Sequence, residues 1–443
     1  MESSEEAIHI PHIPESTLRI LHEIGITSTP NEDQEEFFNS IIDFINVQQD
    51  LENLDKFVGT FDTLIPFLVD EIAQMSNESV AKSACDFFQE FPTCPNSKQI
   101  SEKIIPFLQM IITTLLNRMP YTDANVISEM KTRKQKEIEE EEGEERDDEP
   151  REEDEWNIRK ACAASIDSMS EVLGDLVIRF LEPRLMEIIS PRVVVGDEDE
   201  TKWKRFEVNA LLLGAIAESC QFKVEPIVRK AIPIFVEKIK NVEHSHPLER
   251  SLCCWVLSRF SRFIFSKTGL DVHESVLWAL FNAIGDPVPR VQGAASASFC
   301  RLIEDAPKEF VISKSRDISK MLIEFLEGKT VVIDDIRDVL DAVATLSETV
   351  GNQVPEFIVS FVPHLIRIFE STSDDEKFES SGGVILETLS PVIASLNPDL
   401  FSPVAKTIFD RCVTLLGDLP RDSELISSVL DVIGSFENST TQL

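Results

Sequence analysis

A chain of 443 residues, 42% of them hydrophobic and spaced at helical rather than alternating intervals, reads as one elongated all-α body without a clean domain linker. Its 79 acidic against 42 basic side chains leave a net charge of -37, which repels nucleic-acid backbones and anionic lipid surfaces and favours basic partners. Eight cysteines without a C-x-x-C pair, no secretory leader pattern and no apolar run near the ~18 residues of a membrane span predict a soluble, reduced protein of the cytosol or nucleus, with no membrane insertion and no cofactor.

In chain order, residues 1–60 are expected to be helical but irregular. Residues 64–75 with 79–91, and 104–119, predict the first helix pairs. The basic KTRKQK of 131–136 and the acidic EIEEEEGEERDDEPREEDE of 137–155 repel themselves and hold almost no apolar groups, so an extended loop is expected there. Seven amphipathic helices then begin near Trp156, Trp203, Arg250, Val288, Ile333, Ser380 and Leu425, roughly 38 to 47 residues apart, the period of HEAT and armadillo repeats. Segments 176–189, 226–239, 276–284, 318–326 and 355–369 supply their partners, so each repeat is a helix hairpin. The Asp286-Pro287 turn before Val288 and Arg290 carries a capping acid and a proline suited to a helix entry. The expected fold is an all-α HEAT-repeat solenoid, a superhelical stack of antiparallel helix pairs. It comprises N-terminal HEAT-like repeats over 1–130, the loop over 131–155 and an arch of repeats over 156–443.

No nucleotide-binding or hydrolase signature occurs, and an enzyme is not expected. His9, His12, His244 and His246 lack cysteine support for a metal site and read as surface residues. Three successive second helices carry an acid between apolar neighbours: Asp341, Glu387 and Asp431. A carboxylate there is costly unless it reaches water or a cation, which places these positions on the concave side of the stack. Asp167, Glu218 and Glu304 fall on comparable faces and extend the acids into a ladder. Leu252, Trp255 and Arg259, at i, i+3 and i+7, share one stripe near it, with Leu211 close by. Trp203 and Trp278 are expected in the core.

The segments DEWNIRKACAASID, LLLGAIAESC, SLCCWVLSRF and RVQGAASASF together resemble the transportins of the karyopherin-β family of nuclear import receptors, from about residue 50 to the end. The resemblance implies binding of extended, basic nuclear-localisation signals ending in a proline-tyrosine pair. Implied for that pair are contacts to Ala164, Leu211, Leu252 and Trp255, with polar contacts from Asp167 and Arg259. The basic part would run along Ala294, Ala297, Glu304, Asp341, Thr345, Glu348, Glu387 and Asp431. It further implies nucleoporins and the GTP form of Ran as partners and shuttling between cytoplasm and nucleus. Arg301 stands where the family carries a small polar residue. The N-terminal repeats that contact Ran and the C-terminal repeats with a second cargo pocket are expected to be missing, so Ran-dependent release would be weakened or lost. The competing expectation is a HEAT scaffold that assembles folded partners through its ridges and uses its acids for solubility.

Overall fold

The computed structural model describes residues 61–122, 126 and 156–440, less 75–77, 95, 192–198, 267–271, 329–332, 373–377, 397, 420–422 and 424. Residues 1–60 and the loop expected over 131–155 lie outside that set. Among the described residues every regular element is helical. The main helices are α1 Phe61–Ala73, α2 Glu78–Glu90, α3 Ser97–Ile104, α4 Leu108–Arg118, α5 Ile158–Ile189, α6 Asp199–Ala215, α7 Ala217–Lys240 and α8 Pro247–Arg259. They continue with α9 His273–Ala283, α10 Pro289–Asp305, α11 Lys308–Gly328, α12 Ile333–Val350, α13 Val362–Thr372, α14 Phe378–Ser395, α15 Pro398–Asp418 and α16 Leu425–Thr440. The architecture is that of a HEAT-repeat solenoid, and the chain divides into two units, Met1–Ile232 and Pro233–Leu443. No helix among the described residues is long and apolar enough to cross a membrane.

In the first unit α1 packs on α2 and α4, and α5 packs on α2, α4 and α6. The face of α2 that enters this core carries Val80, Ala81, Ala84, Cys85, Phe87 and Phe88, a helical stripe. The backbone leaves helical geometry at Gly174, so α5 is two helices meeting there, as the pairing of 176–189 with the segment before it requires. Trp156 stands exposed ahead of α5; the helix opens instead on Asn157, whose side chain accepts from the Lys160 backbone N–H at 3.0 Å. Within the first turn, Arg159 is buried against the Glu207 carboxylate of α6, donates to the Met119 carbonyl at 3.0 Å and lies 3.8 Å from the Tyr121 ring centroid. A charge so deep is tolerated only with partners of this kind.

In the second unit α8, α10, α12, α14 and α16 pack successively on one another, and α9, α11, α13 and α15 each pair with the helix that follows. The two layers arise because each second helix buries one apolar face between its neighbours: α10 buries Val291, Ala295, Phe299, Leu302 and Ile303. Successive second helices are also tied by polar bonds, Ser296 Oγ to the Asp338 carbonyl at 2.6 Å and Ser390 Oγ to Ser435 Oγ at 2.8 Å. The Asp286-Pro287 turn differs in detail from expectation. Helix α10 starts at Pro289, and Asp286 accepts from the Val288 backbone N–H at 2.9 Å while its carboxylate takes both Nε and Nη2 of buried Arg250, at 3.0 and 2.8 Å. His246, read as a surface residue, is the N-cap of α8 in a capping box with Glu249. Seven cysteines are buried and Cys300 is partly so. Trp203 and Trp278 are only partly buried rather than central: their rings lie 6.2 Å from Tyr121 and 5.9 Å from Phe281, at the margin of the packing.

Candidate functional site

The acids read as a ladder fall on the solvent side of the second-helix layer in the second unit. On α12, Val339, Leu340, Ala342 and Val343 are buried while Asp341 between them is exposed. On α14, Ile385, Leu386, Thr388 and Leu389 are buried and Glu387 is exposed. On α16, Val429 and Val432 are buried and Asp431 is exposed, but Leu430 is exposed too, unlike Leu340 and Leu386.

These carboxylates are near enough to act on each other. Partial desolvation, the Asp338 carboxylate one turn back and Glu387 from the next helix push Asp341 up to about 6, with Arg337 opposing. Thr345 and Glu348 continue the stripe of Asp341 along α12, Thr345 partly exposed and Glu348 exposed. Thr345 hydrogen-bonds Cys300 of α10, a thiol that burial pushes up to about 11, with Asp341 and Glu304 adding to the effect. The stripe of α10 lies alongside: Ala294 is partly exposed, and Ala297, Arg301 and Glu304 are exposed. Arg301 Nε sits 2.9 Å from Asp305 and its Nη1 is 3.8 Å from Glu304.

At the other end of this layer, α8 presents Leu252, Trp255 and Arg259, all partly exposed, with the Arg259 guanidinium 6.0 Å from the Trp255 ring centroid. Trp255 is therefore available at the surface, unlike its buried neighbours Cys254 and Val256. In the first unit, Ala164, Asp167 and Leu211 are each partly exposed, Glu218 is exposed, and Asp167 accepts from Ser219 Oγ at 3.0 Å. None of the fourteen expected contact residues is buried. Asp338, Arg337, Arg262 and Asp305 escaped the reading of the sequence; the i, i+3 and i, i+4 offsets of the first two from Asp341 were the available signal. Among the described residues no cluster of His, Cys, Asp and Glu is placed to hold a metal ion.

No family model matches the chain. It is 30% identical over 367 residues to Transportin-1 of Oryza sativa subsp. japonica, covering 77% of this chain and 38% of that protein. Against Transportin-1 of Mus musculus the figures are 27% over 400 residues, 82% and 41%. The chain thus spans about two fifths of the length of these relatives. A crystal structure of Kap121p bound to Nup53p superposes with a TM-score of 0.64 at 18% identity, covering 96% of this chain and 36% of Kap121p, a likeness of fold. Most of the sequence is thus matched to part of the transportins, and its helix pairs stack as in Kap121p, so the chain is similar to a part of a karyopherin-β protein.

Proposed function

We propose that the chain is the cargo-binding part of a transportin-like nuclear import receptor, recognising basic signals that end in a proline-tyrosine pair. The observation that carries this reading is the recurrence of Asp341, Glu387 and Asp431, exposed at equivalent places on successively packed helices, the first two between buried apolar residues and Asp431 beside buried Val432. Solubility alone requires no such register. A chain of ligand lysines and arginines laid across α12, α14 and α16 would meet one carboxylate per repeat, with Thr345, Glu348, Ala294, Ala297 and Glu304 beside it. Leu252 and Trp255 offer an apolar, aromatic surface to a proline-tyrosine pair, with Arg259 for its polar groups. The first unit, taken by itself, carries Ala164, Asp167 and Leu211, each partly exposed, as proposed cargo contacts.

The likeness to transportins supports nuclear transport, with residence in cytoplasm and nucleus, over catalysis. Kap121p bound to Nup53p supports a nucleoporin among the partners of this chain. Binding of the GTP form of Ran is expected to be weakened or lost; a pull-down with Ran loaded with GTP tests this, and tight stoichiometric capture would overturn it.

The deciding measurement is a binding titration with a basic peptide ending in Pro-Tyr, against the native chain, Asp341→Ala with Glu387→Ala, and Trp255→Ala. Each variant is expected to weaken binding by about tenfold or more, the scale of a lost charge pair or aromatic anchor. Unchanged affinity in both sinks the import-receptor reading and leaves the scaffold.

A further inference from the structure

The acidic row has one stretch where it is already occupied. On the exposed stripe of α10, Arg301 places Nε 2.9 Å from Asp305 Oδ2 and Nη1 3.8 Å from Glu304 Oε2. Arg262, from the short helix Ser261–Ile264 that follows α8, places its own Nε 3.1 Å from Asp305 Oδ1, and Ser261 Oγ donates to the same carboxylate. Partial burial opposes ionisation of Asp305, but the bonds from Ser261 and Arg262 and the charges of both arginines hold its carboxyl below the usual range. Both guanidinium groups remain largely open to solvent, with side-chain exposures of 47% for Arg301 and 78% for Arg262. Two cations and two anions thus form a neutral cluster. The α12 and α14 part of the row is the opposite case: partial desolvation first, then the Asp338 carboxylate, with a smaller push from Glu387, hold Asp341 up to about 6 against the opposing charge of Arg337, and an incoming cation relieves this excess of negative charge.

We propose that Arg301, assisted by Arg262, determines specificity by closing the α10 end of the acidic row to basic side chains, so that the basic track begins at Asp341. The inference rests on the function proposed above. A ligand lysine or arginine approaching Glu304 must displace Arg301 or sit beside two guanidinium groups, a like-charge juxtaposition that is unfavourable. An acidic or neutral ligand residue at this place meets no such opposition. Signals in which an acidic or neutral residue separates the basic stretch from the terminal proline-tyrosine pair are therefore preferred over uniformly basic ones.

The test uses the full chain and a uniformly basic peptide ending in Pro-Tyr, titrated at low ionic strength against Arg301→Gln, Glu304→Gln, the double variant, and Lys320→Gln. Lys320 lies on α11, 77% exposed, and its replacement makes the same change in net charge. Arg301→Gln is expected to raise affinity about three- to fivefold, the upper range of one exposed charge interaction. Glu304→Gln is expected to change the native chain less than about twofold, and to remove the gain in the Arg301→Gln background. Lys320→Gln is expected to have less than about a twofold effect. The inference is overturned if Arg301→Gln leaves affinity unchanged in a chain that still responds to Asp341→Ala with Glu387→Ala, or if Lys320→Gln gives the same gain. A native chain that does not bind the peptide overturns both this inference and the function on which it rests.

Discussion

Asp341 is exposed yet carries an ionisation held up to about 6, because its surroundings are partly desolvated and already negative through Asp338 and Glu387, with Arg337 as counterweight. The folded chain holds the proton over a window in which the unfolded chain, at the ordinary carboxyl value of 3.8, has released it. Stability is therefore lost as pH rises from about 4 to about 6, and the loss is constant above that. Asp341→Asn is expected to raise the melting temperature at neutral pH and to make no difference below about pH 4; thermal scans across that range check it. Binding runs the other way, since a basic ligand pairs with the ionised carboxylate and must expel the proton. Affinity for a basic peptide should climb as pH rises through about 6 and then level off, and Asp341→Asn should flatten the climb. The place of this acid in its helix was legible in the sequence, because an acid among apolar residues recurs at the repeat period. Its approach to Glu387 was not: that depends on how closely α12 and α14 pack, and no pattern within a single helix encodes it.

Elements are joined here by a small number of buried charges, and Arg250 is the clearest case. Its side chain is buried against the equally buried Asp286 carboxylate, and its Nη1 donates to the Ser245 carbonyl at 2.6 Å, so one residue of α8 secures both the turn that precedes α8 and the turn that precedes α10. Arg250→Met leaves Asp286 buried without its cation and is expected to cost about 3–5 kcal/mol in urea unfolding. Adding Asp286→Asn should restore a large part of that, because the amide oxygen still accepts from the Val288 N–H and no buried charge remains. A double variant as unstable as the single would show that Arg250 acts by packing instead. At α5 the loss of a single cap is the smaller effect: Asn157→Ala should cost about 1 kcal/mol in the same measurement. The hairpins themselves could be read from spacing, since an apolar stripe every forty-odd residues admits few other folds. The Asp286 turn was visible, but its arginine lies 36 residues earlier, and only the docking of α8 on α10 brings the two together.

At the scale of the whole chain, a net charge of -37 supplies attraction to any basic ligand before contact, and a few exposed carboxylates convert that attraction into a fixed register. The two contributions separate experimentally, because salt screens charges beyond a Debye length of ~10 Å at 0.1 M but leaves an apolar anchor nearly untouched. Affinity for a basic Pro-Tyr peptide is expected to fall steeply with ionic strength. Trp255→Ala should lower affinity at every salt concentration by a similar factor, leaving the slope of log Kd against log salt unchanged. Asp341→Ala with Glu387→Ala should instead reduce that slope, so that native and variant curves converge at high salt. The opposite pattern, a slope altered by Trp255→Ala and untouched by the paired acid variant, would mean that general negative charge, and not the repeated carboxylates of α12 and α14, binds the basic segment. Peptide titrations over a salt series decide between a track with one acid per repeat and a merely acidic surface.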